Sequence, residues 1–125
     1  MSSVESHEAL YALLGRAGAS RPLAAGEVVF EKGAHGDPMF VVVRGRVLLK
    51  DGDQTYDTVD APGLFGEMAL IESKPRALTA VADDEVELGA ITARTFWVLV
   101  HETPYFAQLV MSVMADRLRR ASGTV

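Results

Sequence analysis

Short apolar runs separated by turn residues fill the chain from residue 23 to about residue 91, and this spacing limits the fold more than any other feature. The runs are interrupted by the turn-forming segments Ala25-Gly26, 32–38, Gly45, Asp51-Gly52-Asp53 and Ala61-Pro62-Gly63. Apolar runs of this length are typical of β-strands and are short for helices. Many short strands with a turn every several residues indicate an antiparallel sandwich or barrel.

The individual runs predict where strands lie. The predicted strands span residues 27–30, 39–43, 47–49, 55–59, 77–81 and 86–91. Asp51-Gly52-Asp53 is the strongest hairpin signal, because Asp and Gly adopt the backbone conformations of tight turns readily.

Helical spacing appears at both ends of the chain. Leu10, Leu13 and Leu14 predict a helix over residues 5–17, which Pro22 prevents from continuing. From Thr92 onward apolar residues recur every three or four positions and predict two helices. The first has Thr92 as its N-cap and ends near residue 102, and the second spans about 104–120. Arg117, Arg119 and Arg120 lie in the last turn of the second helix, where cations complement the helix dipole.

The predicted architecture is therefore α+β. It consists of an antiparallel eight-stranded, jelly-roll-like β-roll with an N-terminal helix and two C-terminal helices. The length of 125 residues indicates a single domain spanning residues 1–125.

Composition excludes several classes of function. The chain has no cysteine, so disulfides, thiolate zinc sites and cysteine nucleophiles are excluded. The net charge of −5 argues against a nucleic-acid-binding surface. The sequence shows no secretory signal and no apolar run near the ~20 residues that span a bilayer. We therefore expect a cytoplasmic protein. The three histidines, His7, His35 and His101, lack metal-ligand spacing, and no hydrolase nucleophile motif is visible. We therefore also expect that the protein is not an enzyme and needs no cofactor.

The stretch from residue 64 to residue 82 places two charges in an otherwise apolar segment. It reads LFGEMALIESKPRALTAVA, with Gly66-Glu67 near its start and Arg76 after the polar loop 72–75. Charged side chains are rarely left in apolar segments without a partner. Glu67 and Arg76 therefore either form a structural ion pair with each other or bind a ligand, and the residue types alone leave both alternatives open.

The same residues fit a small phosphorylated sugar or nucleotide. Gly66 lets the backbone approach a ligand closely, and a short helix that begins there offers unpaired N–H groups. Arg76 can bind two phosphate oxygens with its planar guanidinium. Glu67 would repel a phosphate, so we expect it to accept a hydrogen bond from a sugar hydroxyl, with Arg76 as its nearby positive charge.

The segment FGEMALIESKPRALTAVA resembles the phosphate-binding cassette of the cyclic nucleotide-binding domain family, to which catabolite activators and protein kinase A regulatory subunits belong. The family pattern runs Phe-Gly-Glu, a short apolar helix, a variable loop, an arginine and a small residue. The matching positions are Phe65-Gly66-Glu67, Met68-Ala69-Leu70, the loop 71–75, Arg76 and Ala77. A second block matches upstream, with Gly26-Glu27, Gly33, Gly36-Asp37 and the strand 39–43 followed by Gly45. The resemblance covers residues 5–120.

The resemblance implies a β-roll that holds cAMP or cGMP. Glu67 is similar to the acid that binds the ribose 2′-hydroxyl, and Arg76 to the arginine that binds the cyclic phosphate. Gly66 and the amides of Met68, Ala69 and Ala77 resemble the backbone ligands of the family. With Phe65 and Leu78, these residues make up the predicted binding site: Phe65, Gly66, Glu67, Met68, Ala69, Arg76, Ala77 and Leu78.

Two positions bear on ligand choice and affinity. Ala77 stands where cGMP-preferring relatives often carry a threonine, so the resemblance favours cAMP, with cGMP as the alternative. Leu78 stands where alanine is common, and its larger side chain either crowds the pocket floor or points into the roll.

The resemblance also implies that the C-terminal helix covers the base, with Leu118, Arg119, Arg120 or Ser122 as the candidate capping residue. The expected output is a movement of the C-terminal helices that signals to an unidentified protein partner, by a monomer or a homodimer without nucleic-acid or membrane contacts. The chain resembles either a stand-alone receptor module or a domain of a longer protein. The alternative function is a degenerate fold that binds no ligand and serves as a protein interaction module.

Overall fold

The computed structural model describes residues 10–16 and 18–122. Helix α1 covers residues 10–16, and the predicted start of this helix at residue 5 lies outside the described residues. The strands are β1 Ala19–Leu23, β2 Val28–Phe30, β3 Met39–Arg44, β4 Arg46–Asp51, β5 Gln54–Asp60, β6 Gly63–Phe65, β7 Thr79–Ala82 and β8 Val86–Ile91. Helix α2 spans Glu67–Glu72, α3 spans Ala93–Glu102 and α4 spans Pro104–Ser122.

The eight strands form two four-stranded sheets. One sheet has the order β1-β8-β3-β6 and the other the order β2-β7-β4-β5, and every pairing is antiparallel. The predicted eight-stranded antiparallel roll with terminal helices is therefore confirmed. The cassette leaves the first sheet through β6, forms α2 and enters the second sheet through β7, so it lies where the two sheets meet.

Two apolar clusters hold the helices and the roll together. The first fills the space between the sheets and includes Phe40, Val47 and Phe65. The second packs the outer side of the first sheet against the helices and includes Met39, Phe96 and Phe106. The alternation of β3 explains both clusters, because successive residues of a strand point to opposite faces: Phe40 and Val42 face the first cluster, and Met39 and Val41 the second.

Two strands escaped the sequence prediction. Strand β1 contains Pro22, which in the sequence indicated only the end of a helix. A proline is tolerated here because β1 is an edge strand of its sheet. Strand β6 has only three residues, and its wholly buried pattern carries no alternation that would mark it as a strand.

The C-terminal helices agree with the sequence prediction in their bounds. Thr92 caps α3 by accepting a hydrogen bond from the Thr95 amide at 3.2 Å. Trp97 of α3 is 50% exposed, while its neighbour Phe96 occupies the core. Among the helices described, none has the combination of length and hydropathy that crossing a lipid bilayer requires.

Candidate functional site

Gly66 forms the corner at which β6 turns into α2. Its φ of +84° lies in the left-handed region, which favours glycine. A Cβ atom at this position would lie 2.9 Å from Nη1 of Arg76 and 3.5 Å from Cα of Met39. Gly66 is therefore required both by its backbone conformation and by the arginine that packs against it.

Arg76 lies against the roll with its guanidinium in a fixed plane. Its Nη1 donates to the Gly66 carbonyl at 2.9 Å, and its Nη2 donates to the Pro38 carbonyl. Its Cζ lies 4.0 Å from the centroid of the Phe30 ring, which is a cation–π contact. The side chain is almost fully buried, and among the described residues its Nε atom has no hydrogen-bond partner.

Burial also changes the acidity of Arg76. Removal from water lowers the pKa of the Arg76 guanidinium, and the carboxylates of Asp37 and Glu67 partly offset this effect. Arginine still remains charged at neutral pH because its ordinary pKa lies far above neutrality. The site therefore contains a desolvated cation with one donor left to satisfy.

Glu67 is completely buried in the first turn of α2, and its charge partner is Arg117 of α4. Nη1 of Arg117 donates to Oε1 of Glu67, and Nη2 donates to the Leu64 carbonyl. The other carboxylate oxygen, Oε2, is buried and accepts no hydrogen bond from the described residues.

The partner of Glu67 corrects two expectations. Arg76 was considered as an ion-pair partner for Glu67, but the ion pair of Glu67 is with Arg117, and the hydrogen bonds of Arg76 go to carbonyls. Arg117 itself was interpreted only as a cation that complements the helix dipole. In the structure it reaches from α4 to Glu67, the acid of the cassette.

The cassette borders an open cavity of about 270 Å³. Seven of the eight predicted site residues line it: Gly66, Glu67, Met68, Ala69, Arg76, Ala77 and Leu78. Phe65 does not, because its ring is fully buried and stacks on Phe40 with 5.4 Å between centroids. Leu78 does both things expected of it, since it lines the cavity and also packs against the core between the sheets.

Further residues line the cavity without having been predicted from the sequence. Phe30 and Leu49 add apolar surface from the roll, Lys74 comes from the loop after α2, and Arg117 comes from α4. The aromatic signal of Phe30 was visible in the matched upstream block, but no sequence pattern indicated that its ring would face Arg76. Arg117 lies 50 residues from Glu67, and only the docking of α4 on the roll brings the two together.

Tyr11 of α1 lies near the Glu67–Arg117 pair. The pKa of Tyr11 is raised to about 12, chiefly by burial. The positive charge of Arg117 lowers this pKa, and the negative charge of Glu67 raises it. Helix α1 therefore places a neutral phenol close to the point where α4 meets the cassette. The described part of the chain contains no group of three or more His, Cys, Asp or Glu residues that could hold a metal ion.

Comparison with known proteins agrees with this geometry. The model of the cyclic nucleotide-binding domain family matches residues 20–103. The chain belongs to this family. The matched region includes the whole cassette and all eight strands except Ala19, the first residue of β1.

Individual relatives come from several kinds of protein. The chain is 37% identical over 97 residues to a cyclic nucleotide-gated potassium channel of Rhizobium etli. This match covers 78% of the chain and 27% of the channel. It is 32% identical over 101 residues to the cyclic AMP receptor protein of Thermus thermophilus, covering 77% of this chain and 47% of that protein. The chain thus spans less than half the length of these relatives.

A solved structure shows the same arrangement of strands and helices. The crystal structure of the Thermus thermophilus catabolite activator protein superposes with a TM-score of 0.74 at 28% identity. The superposition covers 96% of this chain and 55% of that protein.

Proposed function

We propose that the chain is a receptor module for cAMP that signals to a protein partner through the position of α4. The observation that carries the proposal is a pair of unsatisfied buried atoms, Nε of Arg76 and Oε2 of Glu67, in two residues that line one cavity. One is a donor with positive charge and the other an acceptor with negative charge. A ligand that offers an anionic oxygen and a hydroxyl satisfies both.

The two atoms divide the ligand between them. The anionic oxygens of a cyclic phosphate would bind at Arg76, where the helix N-terminus of α2 and the fixed guanidinium both favour negative charge. The ribose hydroxyl would donate to Oε2 of Glu67, because a carboxylate accepts hydrogen bonds and repels the phosphate. A buried polar atom without a hydrogen-bond partner raises the free energy of the folded protein. A ligand that binds both atoms would remove this penalty at both ends of the cavity.

The base would extend from this pair toward the apolar part of the cavity formed by Phe30, Leu49 and Leu78. Ala77 has no hydroxyl to offer the exocyclic amino group of guanine, which supports cAMP over cGMP. The similarity to a protein described as a cyclic AMP receptor points the same way.

The carboxylate of Glu67 would also transmit the signal. Its Oε1 is bound by α4 through Arg117, while Oε2 is left for the ligand. The two interactions do not compete for the same oxygen, and each one orients the carboxylate for the other. Ligand binding therefore stabilises the docked position of α4, and docked α4 favours the ligand to the same extent, as linkage requires.

A thermal-shift measurement followed by calorimetry tests the proposal. We expect cAMP at a hundred times its dissociation constant to stabilise the chain by about 2.7 kcal/mol, with a smaller effect of cGMP at the same concentration. The Arg76→Gln variant serves as the matched control, because it removes the charge and the planar guanidinium. If neither nucleotide shifts the transition, the result favours the alternative function, an interaction module that binds no ligand.

A further inference from the structure

Asp57 of β5 forms a second connection between the roll and the end of α4. Its Oδ1 lies 2.7 Å from Nη1 of Arg120, and its Oδ2 lies 3.4 Å from Nε of Arg117. The carboxylate is itself fixed, because Oδ1 also accepts a hydrogen bond from the Thr58 amide at 2.9 Å. Both side chains of the Asp57–Arg117 pair are about four-fifths buried, so water screens this pair less than a surface pair.

Arg117 is consequently held on three sides. Nη1 binds Glu67, Nη2 binds the Leu64 carbonyl, and the Nε edge faces Asp57. A guanidinium presents its donors in a rigid plane, so an anion at the Nε edge fixes the direction in which the Nη atoms point. Among the described residues, Asp57 is the anion at that edge, although the 3.4 Å contact does not have hydrogen-bond geometry.

Arg120 strengthens the same connection from one turn further along α4. It is shared between Asp57 and Asp116, the latter at 3.2 Å from its Nε. Asp57 thus binds two arginines of α4 at once, and both contacts are lost together when α4 leaves the roll.

We propose that Asp57 is a positioning residue for nucleotide binding. It does not line the cavity; it acts by holding Arg117 in the orientation that holds Glu67, and so prepares Oε2 of Glu67 for the ligand hydroxyl. This inference rests on the proposed function. It also predicts that the affinity for the nucleotide depends on a residue of β5 that the ligand does not contact.

The Asp57→Asn variant tests this by calorimetry, because it keeps the shape of the side chain and removes the charge. We expect cAMP to bind about fivefold more weakly, which is the upper end of the range for a partly screened ion pair. Asp60→Asn is the matched control: Asp60 lies on the same strand, and its ion pair is with Arg46, 2.7 Å away, on an exposed surface of the roll. That variant should bind cAMP as the parent chain does.

A double-mutant cycle shows whether Asp57 acts through Arg117. In an Arg117→Lys background the rigid plane is already absent, so Asp57→Asn should cause little further loss of affinity. Hydrogen exchange supplies a readout that does not depend on the second variant. In Asp57→Asn, cAMP should slow exchange in the last turn of α4 less than in the parent chain.

The outcomes separate the two proposals. Asp57 has no positioning role if the parent chain binds cAMP and Asp57→Asn binds it equally well, or if the Asp57 and Arg117 effects simply add. If the parent chain binds no cyclic nucleotide, the proposed function fails and this inference falls with it.

Discussion

The two ends of the cavity are built differently. At the end proposed to bind the phosphate, here the phosphate end, Arg76 is held by the Gly66 and Pro38 carbonyls and by the Phe30 ring, all of which belong to the roll and the cassette. At the end proposed to bind the ribose, here the ribose end, Glu67 is held by Arg117, a side chain of α4. Each end keeps buried polar atoms unsatisfied among the described residues, Nε of Arg76 at the first and Oε2 of Glu67 and Nε of Arg117 at the second, but only the ribose end depends on a helix that lies outside the roll.

This difference assigns separate tasks to the two charged residues. The phosphate end is complete without α4 and would supply most of the affinity, because it pairs two opposite charges in a partly desolvated place. The ribose end would supply less affinity but all of the communication, because changes at Glu67 reach α4 directly. Substitution at the phosphate end should therefore change mainly affinity, whereas substitution at the ribose end should change helix docking and, through it, affinity.

The largest effect is expected from breaking the ribose end. Arg117→Gln leaves the fully buried Glu67 carboxylate without its ion-pair partner, which should reduce the free energy of unfolding by about 3 kcal/mol. Denaturant unfolding measures this loss. Arg119→Gln is the matched control, because Arg119 is exposed and has an ion-pair partner, Asp116, on its own helix. A loss for Arg117→Gln no larger than for the control would show that α4 is not held by Glu67.

Breaking the phosphate end should change affinity and leave the helix in place. Arg76→Lys keeps the charge but loses the planar guanidinium, so cAMP binding should weaken by about 1.5–3 kcal/mol in calorimetry. Hydrogen exchange of α4 without ligand should match that of the parent chain. Faster exchange in α4 would mean that the two ends are not separate, and unchanged affinity would remove Arg76 from the phosphate site.

A smaller effect is expected at the ring beneath Arg76. Phe30→Leu keeps an apolar side chain but removes the aromatic face, and cAMP binding should weaken by about 1 kcal/mol as the guanidinium loses its cation–π contact. Phe30→Tyr retains the face and should retain the affinity. Equal losses in the two variants would assign the contact to ordinary packing.

The smallest effect at neutral pH is expected at Tyr11, which lies near the ribose end. Its pKa is raised from 10.0 in the unfolded chain to about 12 in the folded one, chiefly by burial. Below pH 10 the phenol is neutral in both the folded and the unfolded state, so its full contribution to the free energy of unfolding is present. As the pH rises from 10 through 12, the unfolded state ionises first and this contribution is lost. The Tyr11→Phe variant has no ionisable group at this position, so its free energy of unfolding should fall less steeply with pH across that window. Identical pH dependence of unfolding would show that Tyr11 is not buried beside the pair.

The sequence was sufficient to predict the fold and the residues of the cassette. Turn residues at regular intervals and apolar runs marked most strands, and Gly66, Glu67 and Arg76 stand close together in the chain. Strand β1 was missed because Pro22 is a stop signal in a helix but is compatible with an edge strand.

The assembly of the site could not be predicted in the same way. Glu67 and Arg117 are paired by tertiary packing, and a pattern in the last turn of α4 could indicate only that an arginine is favourable there. The same limit applies to Phe30, because its position in the chain does not reveal that its ring would lie against the Arg76 guanidinium. Local spacing predicts which residues occupy a site, whereas long-range docking decides which charges meet.

If ligand and helix bind the same carboxylate of Glu67, as we propose, each stabilises the other. Hydrogen exchange in the last turn of α4, measured with and without saturating cAMP, tests it most directly. We expect slower exchange with cAMP in the parent chain and a much smaller change in Arg117→Lys. Exchange that is unchanged or faster when cAMP is demonstrably bound would contradict it.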